Sequence, residues 1–272
     1  MSSSARNTVQ RKGLRTFFGF LFTASCIITL FSYSAYLSTS LDTVERIGVA
    51  VSRGTADIQS LADLYYPEFV KLAGSDPEAE LVLPGLGLSL GVKAKEINNV
   101  SRDKAGDFVA GAIIRRIYNE GFSNVYNLSS LSGAEQNSIQ SLAGIVDSFV
   151  NKQFNSNMRL MFIISVILGL VFAVPFFLMS PGFRKFTGFG TAFIIAGLPS
   201  TILWFVQSRL VAGLGAGDTA SGLLDSALVP LMAHMRVLYI SVLLLGAVLY
   251  FAGMSGIFLT KRRASLTTKS TE

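Results

Sequence analysis

The chain has 272 residues, 50% of them hydrophobic and 15% charged, with 23 Lys and Arg against 17 Asp and Glu for a formal net charge of +6. Soluble domains carry about 25% charged residues, so the deficit points to a membrane protein, and the same composition excludes an intrinsically disordered chain. One cysteine, Cys26, cannot close an internal disulfide, and with His234 as the single histidine the usual His and Cys zinc sites are excluded.

Residues 1–15 form a basic tail with Arg6, Arg11, Lys12 and Arg15 and no acid. Residues 16–38 read as transmembrane helix 1. The run between Arg15 and Asp42 holds 26 uncharged residues, and about 20 apolar residues cross ~30 Å of hydrocarbon. A signal peptide is the competing reading, with Ser32-Tyr33-Ser34 as a small-x-small cleavage site. Signal h-regions run only about 7–15 residues, so the span reads as an uncleaved anchor.

Residues 39–158 read as a mainly helical domain. Val44, Ile47, Val51, Ile58, Leu61 and Tyr65 recur at steps that mark one helix face, with a gap at Gly54. This predicts a helix continuing from the first span and ending at Pro67 and Gly74 to Pro77. In Leu81 to Val92, Leu86, Leu88, Leu90 and Val92 alternate with small residues. That is a strand period or an apolar loop against the bilayer, and the glycines match no phosphate-binding fingerprint.

A further helix is predicted after Ser101, with Phe108, Ala112, Ile113, Ile117 and Tyr118 on its apolar side and Arg115 and Arg116 on a solvated one. Ser132-Gly133-Ala134-Glu135 has the form of a capping box. It opens a helix with the stripe Ile139, Leu142, Val146, Phe149 and Val150, expected to run into the membrane. Two sequons, at Asn99 and Asn127, fall in this domain.

The remaining spans follow in order. Residues 159–180 read as transmembrane helix 2, 181–186 as a cytoplasmic turn, 187–208 as helix 3, 209–235 as an extracytoplasmic loop, 236–260 as helix 4 and 261–272 as a cytoplasmic tail. Uncharged runs of 24, 23 and 24 residues carry these three spans. The ladder Ala192, Ala196 and Ser200 and the pair Ala252 and Gly256 suit close helix approach. Pro175 and Pro199 suit kinks, and Trp204 and Tyr239 an interfacial place.

Charge sets the orientation. Ten basic residues and one acid lie on the side of the tails and the tight turn. The opposite side holds eleven basic and fourteen acidic residues in Asp42 to Arg159, and two of each sign in Arg209 to Arg236. The positive-inside rule places both termini in the cytoplasm of a multi-pass plasma-membrane protein. The basic residues flank membrane ends rather than forming a patch for nucleic acid.

The expected fold is therefore an all-α membrane protein with four transmembrane helices and a mainly helical extracytoplasmic domain between helices 1 and 2. No catalytic, cofactor-binding or metal-ligating residue set emerges. The uncharged runs contain no ionisable pointer to a proton or ion path. His234 reads as interfacial, Cys26 as a small packed residue, Asp218 and Asp225 as solvated carboxylates, and Gly213 to Gly217 as a flexible loop. The function expected is non-enzymatic, a sensor-like, accessory or scaffold role exercised through the outer domain. The alternative is a subunit of a transporter or channel. The expected partners are the lipid bilayer and a membrane protein or second copy, with no cofactor and no nucleic acid. The cytoplasmic segments read as too short for an output domain, so any signal would pass to a separate partner.

Overall fold

The computed structural model describes residues 3–54, 57–83, 88–125, 144, 146–214 and 219–269, of which 3–10, 51, 54, 57, 88, 199–200, 203–214, 219–234 and 263–269 are described by their backbone alone. The elements in chain order are α1 (Ser3–Ser38), α2 (Leu41–Gly54), α3 (Asp57–Ser75), β1 (Glu80–Leu83), β2 (Leu88–Lys93), α4 (Ala105–Glu120), α5 (Phe122–Val125), α6 (Lys152–Met179), α7 (Arg184–Leu214) and α8 (Thr219–Lys269). Two short 3-10 turns, Ala94–Asn99 and Arg102–Lys104, lead into α4.

The chain divides into two compact units. One comprises Met1–Ser34, Met158–Leu210 and Met232–Glu272, and the other Ala35–Asn157 with Val211–Leu231. Among the described residues, three helices are long and apolar enough to cross a membrane: Arg11–Ser38, Val146–Met179 and Met235–Arg262. Their outward faces carry large apolar residues such as Phe20, Leu170, Leu178 and Phe258, the surface expected where lipid is the solvent. α7 is a further helix of 31 residues.

The first unit is held by small residues and aromatic rings. The Phe176 ring lies between Gly19 of α1 and Gly188 of α7, where an added Cβ would come within 2.8 and 2.7 Å of it. Phe22 packs edge-on to Phe189 and Phe193, with centroids 4.9 and 5.9 Å away. α7 and α8 run antiparallel in close contact. Gly190 meets Gly246 and Tyr250, Gly197 meets Tyr239 and Leu243, and Gly253 meets Phe183 and Thr187. On each helix the glycines stand seven residues apart, a spacing that keeps one seam facing the partner. Ala192 and Ala196 are buried as the small-residue ladder predicts, whereas this glycine seam is an addition to it.

Polar groups inside this unit find partners across helices. Thr29 Oγ1 donates to Ser165 Oγ at 3.0 Å. Ser34 Oγ and Tyr239 OH are 2.7 Å apart, and Tyr239 OH donates to Leu30 O. Tyr239, expected at an interface, is instead buried at 6% exposure. Its hydroxyl has protein partners there and needs no water.

In the second unit, β1 and β2 form an antiparallel ribbon pairing Glu80 with Lys93 and Val82 with Ser89. Leu81, Leu83, Leu90 and Val92 are buried, so the strand reading holds for residues 81–83 and 88–92, while Leu86 lies outside the described residues. The register shifts between Glu80 and Val82, and Gly91, at φ +67°, lies on the strand opposite. A bulge of this kind takes a left-handed residue, which glycine supplies without a Cβ clash. The core joins the ribbon to Ala62, Phe69 and Ala73 of α3, Ile97 of the first 3-10 turn, and Val109, Ala112 and Ile113 of α4.

Several boundaries differ from expectation. The first helix does not run on past the span: α1 ends at Ser38, and Ser40 Oγ accepts from Thr43 N at 3.4 Å to restart the chain as α2. A serine cap satisfies one of the orphan amides of a new first turn. The gap at Gly54 marks the end of α2. Pro67 does not end α3, which continues to Ser75. Pro67 is exposed while Tyr65, Phe69 and Ala73 keep the next turn anchored to the core, which offsets the hydrogen bond that proline removes.

The helix after Ser101 begins at Ala105, after the second 3-10 turn. The segment entering the second span bends at Val150 and Asn151, and Asn151 Oδ1 caps α6 by accepting from Phe154 N at 2.6 Å. The loop assigned to 209–235 is largely helical in backbone, because α7 reaches Leu214 and α8 starts at Thr219. The capping box at Ser132, together with Ile139 and Leu142, lies outside the described residues.

Candidate functional site

The second unit carries a cleft of about 610 Å³, inside the range of about 300–1,000 Å³ typical of small-ligand sites. One wall is α2. Positions 42, 45, 46, 49, 50 and 53 share a face because they are spaced by three and four residues. The other wall is Lys104 with Asp107, Phe108 and Arg115 of α4, and Asn99 and Val100 complete the lining. α2 and α4 approach closely because Gly48 faces Ile114 and Gly111 faces Glu45, where an added Cβ would fall 2.3 and 2.7 Å from those side chains.

The cleft is lined by four cations and three carboxylates, and three of the cations, Arg46, Arg53 and Arg115, pair with the carboxylates. Arg53 grips Asp107 with both arms of its guanidinium, Nε to Oδ1 at 2.8 Å and Nη2 to Oδ2 at 2.6 Å. Arg115 lies 3.5 Å from Glu45 and also donates to Gly111 O. Arg46 pairs with Asp42 one turn away on α2. The Arg53 hydrogen bond holds the Asp107 carboxyl below its usual range, against the opposing effect of partial burial. Val49, Val100 and Phe108 supply apolar lining between these charges.

Exposure decides what this charge can do. The Arg53 side chain is 68% exposed and that of Arg46 69% exposed. Ion pairs in such surroundings contribute about 0–1 kcal/mol each to stability. They hold the side chains in place at small energetic cost, and an incoming charged group can exchange for one partner. The sequence reading missed this site, because Arg53 and Asp107 lie 54 residues apart and meet only when α2 packs on α4.

Arg115 and Arg116, read as a solvated face, are both engaged. Arg116 bonds to Glu120 at 2.9 Å and donates to Ser89 O of β2, tying α4 to the ribbon. Asn99 sits at the cleft edge, while Asn127 lies outside the described residues. Cys26 packs between the Phe22 and Leu30 clusters as a small apolar residue. The side chains of His234, Asp218 and Asp225 and the segment 215–217 lie outside the described residues. Among the described residues no three His, Cys, Asp or Glu side chains gather as a metal site.

A second polar device stabilises the far end of α4. Asp147 accepts from the amides of Phe122 and Ser123 and from Ser123 Oγ, capping α5. Burial pushes the Asp147 carboxyl up, but these donors outweigh it and leave it below its usual range. Comparison with protein-family models, with curated proteins and with solved structures finds no match.

Proposed function

We propose that this chain is a four-span plasma-membrane protein with both termini in the cytoplasm, acting without catalysis. Its role is sensor-like, accessory or scaffolding, exercised through the outer unit. The observation that carries this reading is the cleft between α2 and α4. Its exchangeable ion pairs suit a charged ligand or a charged segment of another membrane protein, and no nucleophile and base are paired within it. The fourth span is α7, whose sequence from Lys185 to Arg209 holds 23 uncharged residues. The charge asymmetry across the spans supports the orientation.

The test has two arms in the full chain carrying Cys26→Ala. Ser101→Cys is expected to react with a membrane-impermeant maleimide in intact cells, and Ser265→Cys is not; the reverse pattern refutes the orientation. A photo-cross-linking residue at Arg46, on the cleft rim, is expected to give a discrete adduct in native membranes. The same probe at Lys71, on the exposed side of α3, is expected to give none. Equal yields from both refute the cleft as the contact surface. Ion flux through proteoliposomes of the purified chain would instead favour the transporter or channel reading.

A further inference from the structure

The first unit contains a groove of about 510 Å³, unrelated to the outer cleft. Arg15 of α1 and Arg184 at the start of α7 line it, and Gly19, Thr23, Phe176, Thr191 and Tyr250 continue the lining. From Arg15 to Thr23, and from Arg184 to Thr191, the helices advance about 10–12 Å at ~1.5 Å per residue. The groove is thus charged at one level and lined by hydroxyls and apolar groups at the next.

The charge balance of this unit is one-sided. Its three segments contain thirteen Lys and Arg residues and one acid, Glu272. No residue lining the groove is acidic, and among the described residues Arg15 and Arg184 are in no ion pair. Guanidinium groups at a membrane boundary with no protein carboxylate to answer them call for an anion from outside, and phosphate matches their planar fork.

Hydroxyls continue the lining beyond this charge. Thr23, Ser180, Thr187 and Thr191 each donate to a carbonyl of their own helix, at 2.8, 2.7, 3.0 and 2.8 Å. With their protons committed, they present acceptor lone pairs to the groove. A lipid phosphate at the arginine level leads its glycerol backbone and acyl chains past these groups, and Phe176, beside Gly19 and Gly188, offers apolar contact on that path.

We infer that this groove is a binding site for one anionic phospholipid, such as phosphatidylglycerol, its phosphate held by Arg15 and Arg184 and its chains leading past Phe176 towards the level of Thr23 and Thr191. The inference rests on the membrane placement of the first unit but not on what the outer cleft binds. Basic pockets between membrane helices are a recognised mode of headgroup capture.

The test is native mass spectrometry of the purified full chain in detergent, titrated with phosphatidylglycerol, phosphatidylcholine or inorganic phosphate. One phosphatidylglycerol is expected to be retained about tenfold or more tightly than phosphatidylcholine, with Arg15→Gln/Arg184→Gln abolishing the difference. Arg11→Gln/Lys12→Gln removes the same charge from the exposed end of α1 and is expected to leave retention unchanged. Thr191→Phe keeps all charge but fills the groove, and is expected to lower retention by itself.

Equal loss in the Arg11/Lys12 and Arg15/Arg184 variants overturns the site in favour of diffuse attraction. Competition by inorganic phosphate at lipid-like concentrations overturns a lipid in favour of a phosphate site. Selective retention that survives Thr191→Phe overturns the groove as its location, and this arm stands even where the double arginine variant fails to fold. A chain that stays dispersed without detergent overturns the membrane placement itself, an outcome distinct from loss of selectivity in a detergent-requiring chain.

Discussion

Replacing Gly190 by alanine tests whether α7 and α8 are held by backbone proximity. An alanine Cβ at this position would lie 2.5 Å from Tyr250 N and 2.7 Å from Gly246 O. These are backbone atoms, which cannot rotate aside as a side chain does, so the helices must separate. Overpacking of this kind costs about 1–3 kcal/mol. Alanine ordinarily recovers about 1 kcal/mol over glycine in a helix. With α7 spanning the membrane as proposed above, little of that gain survives, because membrane helices stay helical in the unfolded reference state and the propensity term cancels.

The net expectation for Gly190→Ala is a loss of about 2 kcal/mol, near a thirtyfold fall in the folding equilibrium. Gly169→Ala is the matched control, since its Cβ would meet only Ser25 Cβ at an ordinary 3.7 Å. It should fall within about 0.5 kcal/mol of the parent. The assay is equilibrium unfolding by sodium dodecyl sulfate in mixed micelles, followed by fluorescence of Trp204, the chain's single tryptophan. The double variant Gly190→Ala/Gly246→Ala should cost less than the sum of the singles, because both separate the same contact. Equal stability of the Gly190 and Gly169 variants would refute the close α7–α8 seam.

In the second unit, Ile97→Ala should destabilise by about 2–5 kcal/mol, because Ile97 is fully buried among α3, α4 and the ribbon. Leu64→Ala, on the exposed side of α3, should change stability by less than about 0.5 kcal/mol; limited proteolysis of purified protein compares the two. Asp147→Ala removes the cap of α5 and should cost about 1 kcal/mol, read as faster hydrogen exchange at Phe122 and Ser123. Hydrogen bonds from Lys93 and Lys95 hold the Glu78 carboxyl down to about 2 from an ordinary 4.5. A carboxyl depressed on folding contributes fully above the unfolded value and loses that contribution as pH falls from about 4.5 towards 2. Glu78→Gln should therefore flatten that part of the pH profile of β1–β2 amide protection; an unchanged profile counts against the pairing.

Much of the architecture was legible in the residues alone. Long uncharged runs are a one-dimensional signal, since a helix crossing hydrocarbon must be apolar along its whole length. The helices expected over 16–38, 159–180 and 236–260 overlap the apolar helices Arg11–Ser38, Val146–Met179 and Met235–Arg262. The period-two alternation before Lys93 left a strand or an apolar loop open, since successive side chains on a strand face opposite sides. Local caps were less visible. Ser40 and Asn151 break helices that periodicity would have run straight through. A stripe reports which face is apolar and says little about where the backbone turns.

Only the tertiary structure decided which distant residues meet. Arg53 and Asp107 were two unremarked charges until α2 packed on α4, an approach permitted by the missing side chains of Gly48 and Gly111. The glycines at 190, 197, 246 and 253 read as a scattering in the sequence and become a seam only when two antiparallel helices align them. Tyr239 looked interfacial by composition and is buried, because Ser34 and Leu30 on another helix satisfy its hydroxyl. Periodicity is a property of one segment. A partner for a charge, a carbonyl or a missing Cβ belongs to a pair of segments and depends on how their surfaces fit.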